Sequence, residues 1–131
     1  MPTFLGPYSY DDYPTSTPNK PVKISQIKLS YANPLSQVNL GDIVALNGIV
    51  IEAIVKVVTA FEGSSLPSMT IGSNTLPAKY LTEESVDFEV EGIYKKSIFE
   101  PVISNEQPRV YWNPNGATAG ELLIFLIFSE P

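Results

Sequence analysis

Five carboxylates cluster in the middle of the chain, at a density that can suit a hard cation such as calcium. They are Glu83, Glu84, Asp87, Glu89 and Glu91. The alternation of Val86–Glu91 predicts a strand with Val86, Phe88 and Val90 inward and the acids outward. No Asp-x-Asp-x-Asp-Gly loop accompanies the acids, so we interpret them as a solvated face that discourages edge-to-edge pairing. We therefore expect no metal site and no cofactor.

Candidate nucleophiles are present, but the groups that would activate them are not. Ser64, Ser65 and Ser68 lie near turns, whereas the chain contains no His and no Cys. There is no histidine base and no Gly-x-Ser-x-Gly elbow. A lysine-based or paired-carboxylate mechanism stays open, yet no feature selects its residues. We expect a protein that is not an enzyme.

Two adjacent aromatic residues, Tyr111 and Trp112, precede the turn formed by Asn113–Gly116. Aromatic rings beside amide side chains are typical of sugar-binding sites, where the rings stack and the amides form hydrogen bonds. The other interpretation is that one ring lies in the core and the other caps the end of the domain. Tyr111 and Trp112 are therefore candidates for contact with a glycan or a partner.

The first 21 residues differ in composition from the rest. Met1–Pro21 holds five of the twelve prolines and the tyrosines Tyr8, Tyr10 and Tyr13. Proline at this density favours an extended chain, and tyrosine offers large contact area. Either this is an unstructured N-terminus, or it is an arm that orders against a neighbouring subunit through the three tyrosines. We predict the arm, followed by one domain over 22–131.

The chain ends in seven consecutive apolar residues, Leu122–Phe128. A membrane-spanning helix needs about 20 apolar residues, so this run is too short to be an anchor. Its length suits a strand, and the lack of alternation predicts that both faces of the strand are covered. This interpretation places Phe125 in the core. The net charge of −6 argues against binding nucleic acid.

Further strand patterns separated by turns predict the fold class. Val22–Leu29 alternates with a slip near Gln26 that suggests a bulge. Asn47-Gly48 is typical of a hairpin turn and precedes Ile49–Val58. The Glu52–Lys56 spacing would also suit a helix, but Ile and Val dominate this run and favour a strand. With short strands at 68–71 and 109–112, the pattern predicts an all-β antiparallel β-sandwich of jelly-roll type.

A pattern of strand ends and glycine turns recurs along the chain from Val57 onward. Its positions are Val57, Thr59, Ala60, Phe61, Gly63, Ile71, Gly72, Gly92, Tyr94, Gly116, Thr118, Ala119 and Gly120. With this pattern, the sequence from Ile49 to Phe128 resembles a small β-domain of tailed-bacteriophage virion proteins. The resemblance departs after Gly72, where relatives often carry an Asp-rich stretch and this chain has Ser73–Pro77. The resemblance implies a structural role in a virion, in capsid decoration, a head fibre, or a tail or baseplate.

The arm and the expected lack of catalysis favour a capsid decoration (cement) protein. It would bind the major capsid protein and its own copies, as a homotrimer or homodimer, in a virion assembled in the host cytoplasm. The alternative is a tail-fibre, head-fibre or baseplate domain that binds host-surface glycan through Tyr111 and Trp112. A third hypothesis, an enzyme or free carbohydrate-binding module outside any virus, would be separated by the genome neighbourhood.

Overall fold

The computed structural model describes residues 22–131, which form two antiparallel β-sheets packed face to face. The all-β sandwich predicted from the sequence is confirmed. The predicted arm, with its contacts Tyr8, Tyr10 and Tyr13, lies outside the described residues. Within the described range, no helix has the length and apolar character required to cross a membrane.

The strands are arranged in one sheet of four and one of three. The four-stranded sheet has the order β1-β7-β3-β5, and the three-stranded sheet has the order β2-β6-β4. The strands are β1 (Val22–Ser30), β2 (Gln37–Asn39), β3 (Ile49–Glu62), β4 (Ser68–Ser73), β5 (Gly92–Pro101), β6 (Pro108–Asn113) and β7 (Ala119–Ser129). A 3-10 helix at Glu83–Ser85 lies between β4 and β5. Each connection therefore passes from one sheet to the other.

The apolar C-terminal strand β7 lies inside the larger sheet, between β1 and β3. It pairs with β1 in unbroken register from Val22 opposite Ser129 to Ser30 opposite Glu121. On its other edge it pairs with β3, whose Ile and Val residues favour the extended backbone. Because both edges are paired, β7 exposes no free row of backbone hydrogen-bonding groups.

The two faces of β7 differ in burial, contrary to the prediction that both are covered. The inward residues Leu122, Ile124, Leu126 and Phe128 are at most 2% exposed, whereas those between them are half-buried. Phe125 is among the half-buried residues, so its predicted place in the core is wrong. The strand is apolar on both faces, but the second sheet covers only one of them.

The core lies between the sheets and includes an aromatic cluster at one end. The rings of Phe61 and Phe88 meet edge to face at 5.6 Å, and each also contacts Trp112, at 5.6 Å and 6.1 Å respectively. Such aromatic pairs stabilise a core by about 0.5–1.5 kcal/mol beyond their buried area. This cluster links β3 and β6 with the segment that follows the 3-10 helix.

The bulge predicted near Gln26 is absent, since β1 keeps its register throughout. Ser25 points inward and is 8% exposed, whereas Ile24 points outward and is 63% exposed. Ser25 packs against Gly41, where a Cβ atom would lie 1.9 Å from the serine hydroxyl. The slip in the pattern therefore reflects a buried serine and an exposed isoleucine.

The hairpin predicted at Asn47-Gly48 is also wrong, although the chain does turn there. Asn47 has a φ of 72°, and the Gly48 amide donates to the carbonyl of Ala45 at 2.8 Å. The preceding segment does not pair with β3, because Val44 bridges Glu106 while β3 pairs with β5 and β7. β3 therefore pairs with strands that are distant in the sequence, and the segment before the turn pairs elsewhere.

The strand predicted at Val86–Glu91 is a turn. The Asp87 carboxylate accepts from the Glu89 amide at 3.0 Å, and the Tyr94 hydroxyl donates to the carbonyls of Asp87 and Val90. These local hydrogen bonds compete with strand pairing. Val86 and Phe88 are buried as predicted, whereas Val90 is 53% exposed.

Candidate interaction surfaces

The two adjacent aromatic residues of β6 point to opposite sides of their sheet. Trp112 faces the core, is 3% exposed and packs against Phe61 and Phe88. Tyr111 faces away from the core, is half-buried and donates a hydrogen bond from its hydroxyl to the carbonyl of Ser73 at 2.6 Å. The structure therefore does not bring these two rings together as a common stacking platform.

A shallow groove of about 220 Å³ lies beside Tyr111 on the three-stranded sheet. Its polar lining includes Gln37, Thr70, Glu83 and Asn113. Trp112 also contributes to the lining, and its buried indole N–H has no acceptor among the described residues. A tyrosine ring beside amide and hydroxyl groups can hold a small polar ligand by stacking and hydrogen bonding.

The acidic residues at 83–91 do not share one strand face, because Glu83 and Glu84 lie in the 3-10 helix and the others follow it in and after a turn. Glu91 accepts from the Ala60 amide at 3.4 Å, and Asp87 accepts from the Glu89 amide. Within 22–131, no three acidic side chains are grouped closely enough to hold a metal ion. The carboxylates of Asp87 and Glu91 thus bind nearby backbone amides.

A buried polar cluster that sequence analysis did not find joins two loops. The Tyr80 hydroxyl donates to one oxygen of Glu106, and Lys79 forms an ion pair of 2.8 Å with the other. Glu106 also exchanges two backbone hydrogen bonds with Val44, at 2.8 Å and 2.9 Å. Tyr80 and Glu106 are too far apart in the sequence for a short motif to indicate their contact. The cluster fastens the loop after β4 to the loop before β6.

The Tyr80 hydroxyl acts as a hydrogen-bond donor because it remains protonated. Burial, and after it the hydrogen bond to Glu106, raises the pKa of Tyr80 far above its ordinary value of 10.0. With only 2% of the residue exposed, little water can stabilise a phenolate. The arrangement fits a structural contact, since its donor does not release a proton near neutral pH.

The four-stranded sheet has a solvent-facing side, which we call the outer face. The register places three side chains of each strand at its centre. These are Ile24, Gln26 and Lys28 of β1, Leu123, Phe125 and Ile127 of β7, Glu52, Ile54 and Lys56 of β3, and Ile93, Lys95 and Ser97 of β5. No strand within 22–131 packs over this face.

The middle of the outer face is apolar. Phe125 lies between Gln26 and Ile54, and Ile127 lies between Ile24 and Glu52. Ile24 and Ile93 are each 63% exposed. An antiparallel sheet with one face on the core normally has polar residues on the other. A contiguous apolar patch on such a face is typical of an interaction surface.

The fold is shared with chains of phage capsids. One match is in the acid-stable capsid structure of Helicobacter pylori bacteriophage KHP30, with a TM-score of 0.66 and 14% identity over 84% of this chain and 88% of that one. Another is in the capsid asymmetric unit of cyanophage Pam1, with a TM-score of 0.60, 13% identity and coverage of 84% and 85%. A third is in the capsid of Ralstonia phage GP4, with a TM-score of 0.51, 16% identity and coverage of 84% and 83%.

No family model matches the sequence, and no curated protein matches it. At these low identities the structural matches establish a shared fold. The resemblance to a β-domain of phage virion proteins is therefore confirmed at the level of the fold. The alignments cover most of both chains in each pair, so the fold likeness extends beyond a local motif.

Proposed function

We propose that this chain is a capsid decoration (cement) protein of a phage, which binds the major capsid protein and its own copies on the shell. The observation that carries the proposal is the fold shared with chains in three phage capsid structures. Each alignment covers more than four-fifths of both chains, so the matched chains are similar in size to this one. A small β-sandwich of this size suits an accessory part of a shell.

The strand order supports the further inference that the sandwich is of jelly-roll type. Successive strands alternate between the sheets, and the isolated bridge between Ile71 and Leu81 extends the smaller sheet beyond β4. Two sheets linked in this manner resemble the jelly rolls found in viral capsid proteins. Strand β7 is hydrogen-bonded to a neighbouring strand on both edges, which suits a protein that holds neighbouring subunits together.

The proposed role is non-enzymatic and rests on binding surfaces. The chain has no His and no Cys, and the polar cluster of Lys79, Tyr80 and Glu106 holds two loops together. The apolar outer face offers contact area for another subunit. The arm, Met1–Pro21, would add contacts through Tyr8, Tyr10 and Tyr13.

Add-back to undecorated capsids tests the proposal. Purified capsids lacking this chain should bind the added protein to saturation, with a fixed ratio to the major capsid protein, and should then resist heating better. Sedimentation measures binding, and release of packaged DNA on heating measures stability. If the protein bound neither undecorated capsids nor expanded empty shells, the proposal would be contradicted.

The groove beside Tyr111 supports a second candidate function, a fibre or baseplate domain that binds host-surface glycan. The observation that favours it is the half-buried Tyr111 ring with polar neighbours lining the groove. Titration with host-surface polysaccharide should then show binding that Tyr111→Ala abolishes. Tyr31→Ala, at a tyrosine that is 43% exposed, is the matched control and should bind normally. Unchanged binding in Tyr111→Ala would exclude this site.

A further inference from the structure

We infer that the outer face is the docking site for the N-terminal arm, Met1–Pro21, of a second copy of this chain. In this arrangement the tyrosines of the arm pack on Phe125, Ile127 and Ile54. Asp11 and Asp12 of the arm lie against Lys56 and Lys95. The inference concerns association between copies in solution, so it does not depend on the proposed role on a capsid.

The apolar residues of the outer face supply the contact area. β7 carries the apolar side chains Leu123, Phe125 and Ile127 in succession where a solvated strand would carry polar ones. All three are half-buried although no strand of the described range lies above them. Tyrosine rings suit such a surface, because they bury a large area at a low cost in conformational entropy.

The charges of the outer face favour an acidic partner segment. Lys56 and Lys95 flank the apolar residues on the β3–β5 side, and neither forms an ion pair with a residue in 22–131. Lys28, on the opposite side, is paired with Glu121 at 2.9 Å. Glu52 also lies on this face, but next to Ile127 and away from the Lys56 end. The unpaired lysines therefore form a positive edge on a chain whose net charge is −6.

The arm has the matching chemistry and is attached beside this face. Tyr8, Tyr10 and Tyr13 alternate with or flank Asp11 and Asp12, so aromatic and acidic groups occur together. The segment from Tyr13 to β1 spans up to roughly 30 Å when extended, which exceeds the width of a four-stranded sheet. It joins the sandwich at Val22, next to Ile24 on the edge of the outer face.

A second copy is the better recipient than the arm's own sheet. Docking on its own face requires the chain to reverse direction immediately before β1. Pro18 and Pro21 restrict the backbone there and favour continuation beyond the end of the sheet. Exchange of arms between copies would bury each outer face and produce a closed, symmetric oligomer.

Mixing two defective variants tests the exchange. Phe125→Glu keeps the arm and disrupts the face, whereas a chain lacking Met1–Pro18 keeps the face and has no docking segment. Each alone should be a monomer by light scattering, or at least about tenfold weaker in self-association than the intact chain. When mixed, they should form a heterodimer, because one contributes an arm and the other a face. Leu76→Glu, at a residue 56% exposed on the smaller sheet's side, should associate as the intact chain does.

A charge exchange provides a second test that does not depend on Phe125. Asp11→Lys with Asp12→Lys should weaken association at least about tenfold, as should Lys56→Asp with Lys95→Asp. Mixing these two double variants should restore association, because each variant's arm is then complementary in charge to the other variant's face.

Three outcomes would overturn the inference. The intact chain could be a monomer, which would exclude the second copy and leave docking on its own sheet. Association could survive deletion of Met1–Pro18 yet fail in Phe125→Glu, which would mean that two outer faces contact each other. Association could also be unaffected by Phe125→Glu and by both charge reversals, with circular dichroism showing folded proteins, which would place the contact elsewhere.

Discussion

Contacts between single side chains hold two loops of this sandwich together. Tyr80 and Glu106 form a buried hydrogen bond, and Lys79 pairs with the same carboxylate. A buried polar group that loses its partner lowers stability more than an exposed pair contributes. Loss of the Tyr80 hydroxyl should therefore weaken the contact between the two loops.

Tyr80→Phe should lower the free energy of unfolding by about 1–2 kcal/mol at neutral pH, because Glu106 loses a buried donor. The raised pKa of Tyr80 also sets a pH dependence. Both folded and unfolded chains keep the proton below pH 10. Above it, the unfolded chain releases the proton while the folded chain retains it, so stability falls as pH rises.

Urea unfolding at pH 7 and at about pH 11 checks this prediction. The stability difference between the native chain and Tyr80→Phe should shrink at high pH, by up to about 1.4 kcal/mol per pH unit. A difference that stays constant up to pH 11 would contradict the raised pKa.

A pair of glycines tests the packing of Phe61. Gly120 has a φ of 131°, and a Cβ atom there would lie 2.3 Å from the Phe61 ring. Gly116 has a φ of 75° with no atom within 4 Å of such a Cβ. Gly116→Ala should cost about 1–2 kcal/mol from backbone strain alone. Gly120→Ala should cost more by thermal denaturation, and equal losses would argue against the contact.

Among the elements, β7 shows most clearly how far the sequence predicts the fold. Its length and apolar character identify a strand, but only the structure shows that Leu126 faces the core while Phe125 faces outward. An apolar run carries no alternation from which the inward face can be predicted. Which face the second sheet covers depends on tertiary packing.

Substitutions at adjacent positions of β7 test this alternation. Leu126→Asp should unfold the domain, because an unpaired carboxylate at a fully buried site costs several kcal/mol against a total stability of about 5–15 kcal/mol. Phe125→Asp should remain folded, since its side chain can reach solvent. Circular dichroism and solubility distinguish the two, and an unfolded Phe125→Asp with a folded Leu126→Asp would reverse the assignment of faces.

Strand β5 and the turn at Val86–Glu91 explain the main errors of sequence analysis. β5 carries mostly exposed residues because it is an edge strand, so its pattern lacks the apolar alternation that indicates a strand. The preceding segment has that alternation, yet Asp87 and Tyr94 hold it in a turn. The Tyr80–Glu106 contact joins residues far apart in the sequence, so it can be identified only once the fold is known.

For the molecule as a whole, the residues in 22–131 enclose a buried apolar core. The buried apolar cluster is formed by residues between Leu29 and Phe128. Deletion of Met1–Pro18 should therefore leave the melting temperature of a monomeric sample nearly unchanged, while assembly is weakened. Differential scanning calorimetry at low protein concentration measures this. A large loss of stability in the monomer would mean that the arm belongs to its own domain's core.

The position and copy number of this chain in an intact phage particle decide whether it is a capsid decoration protein. Cryo-electron microscopy with mass spectrometry of purified particles gives both. We expect sandwich density of this size on the head surface, at a fixed ratio to the major capsid protein and in contact with neighbouring copies. Density confined to the tail, baseplate or fibres, or absence from the particle, would contradict this expectation.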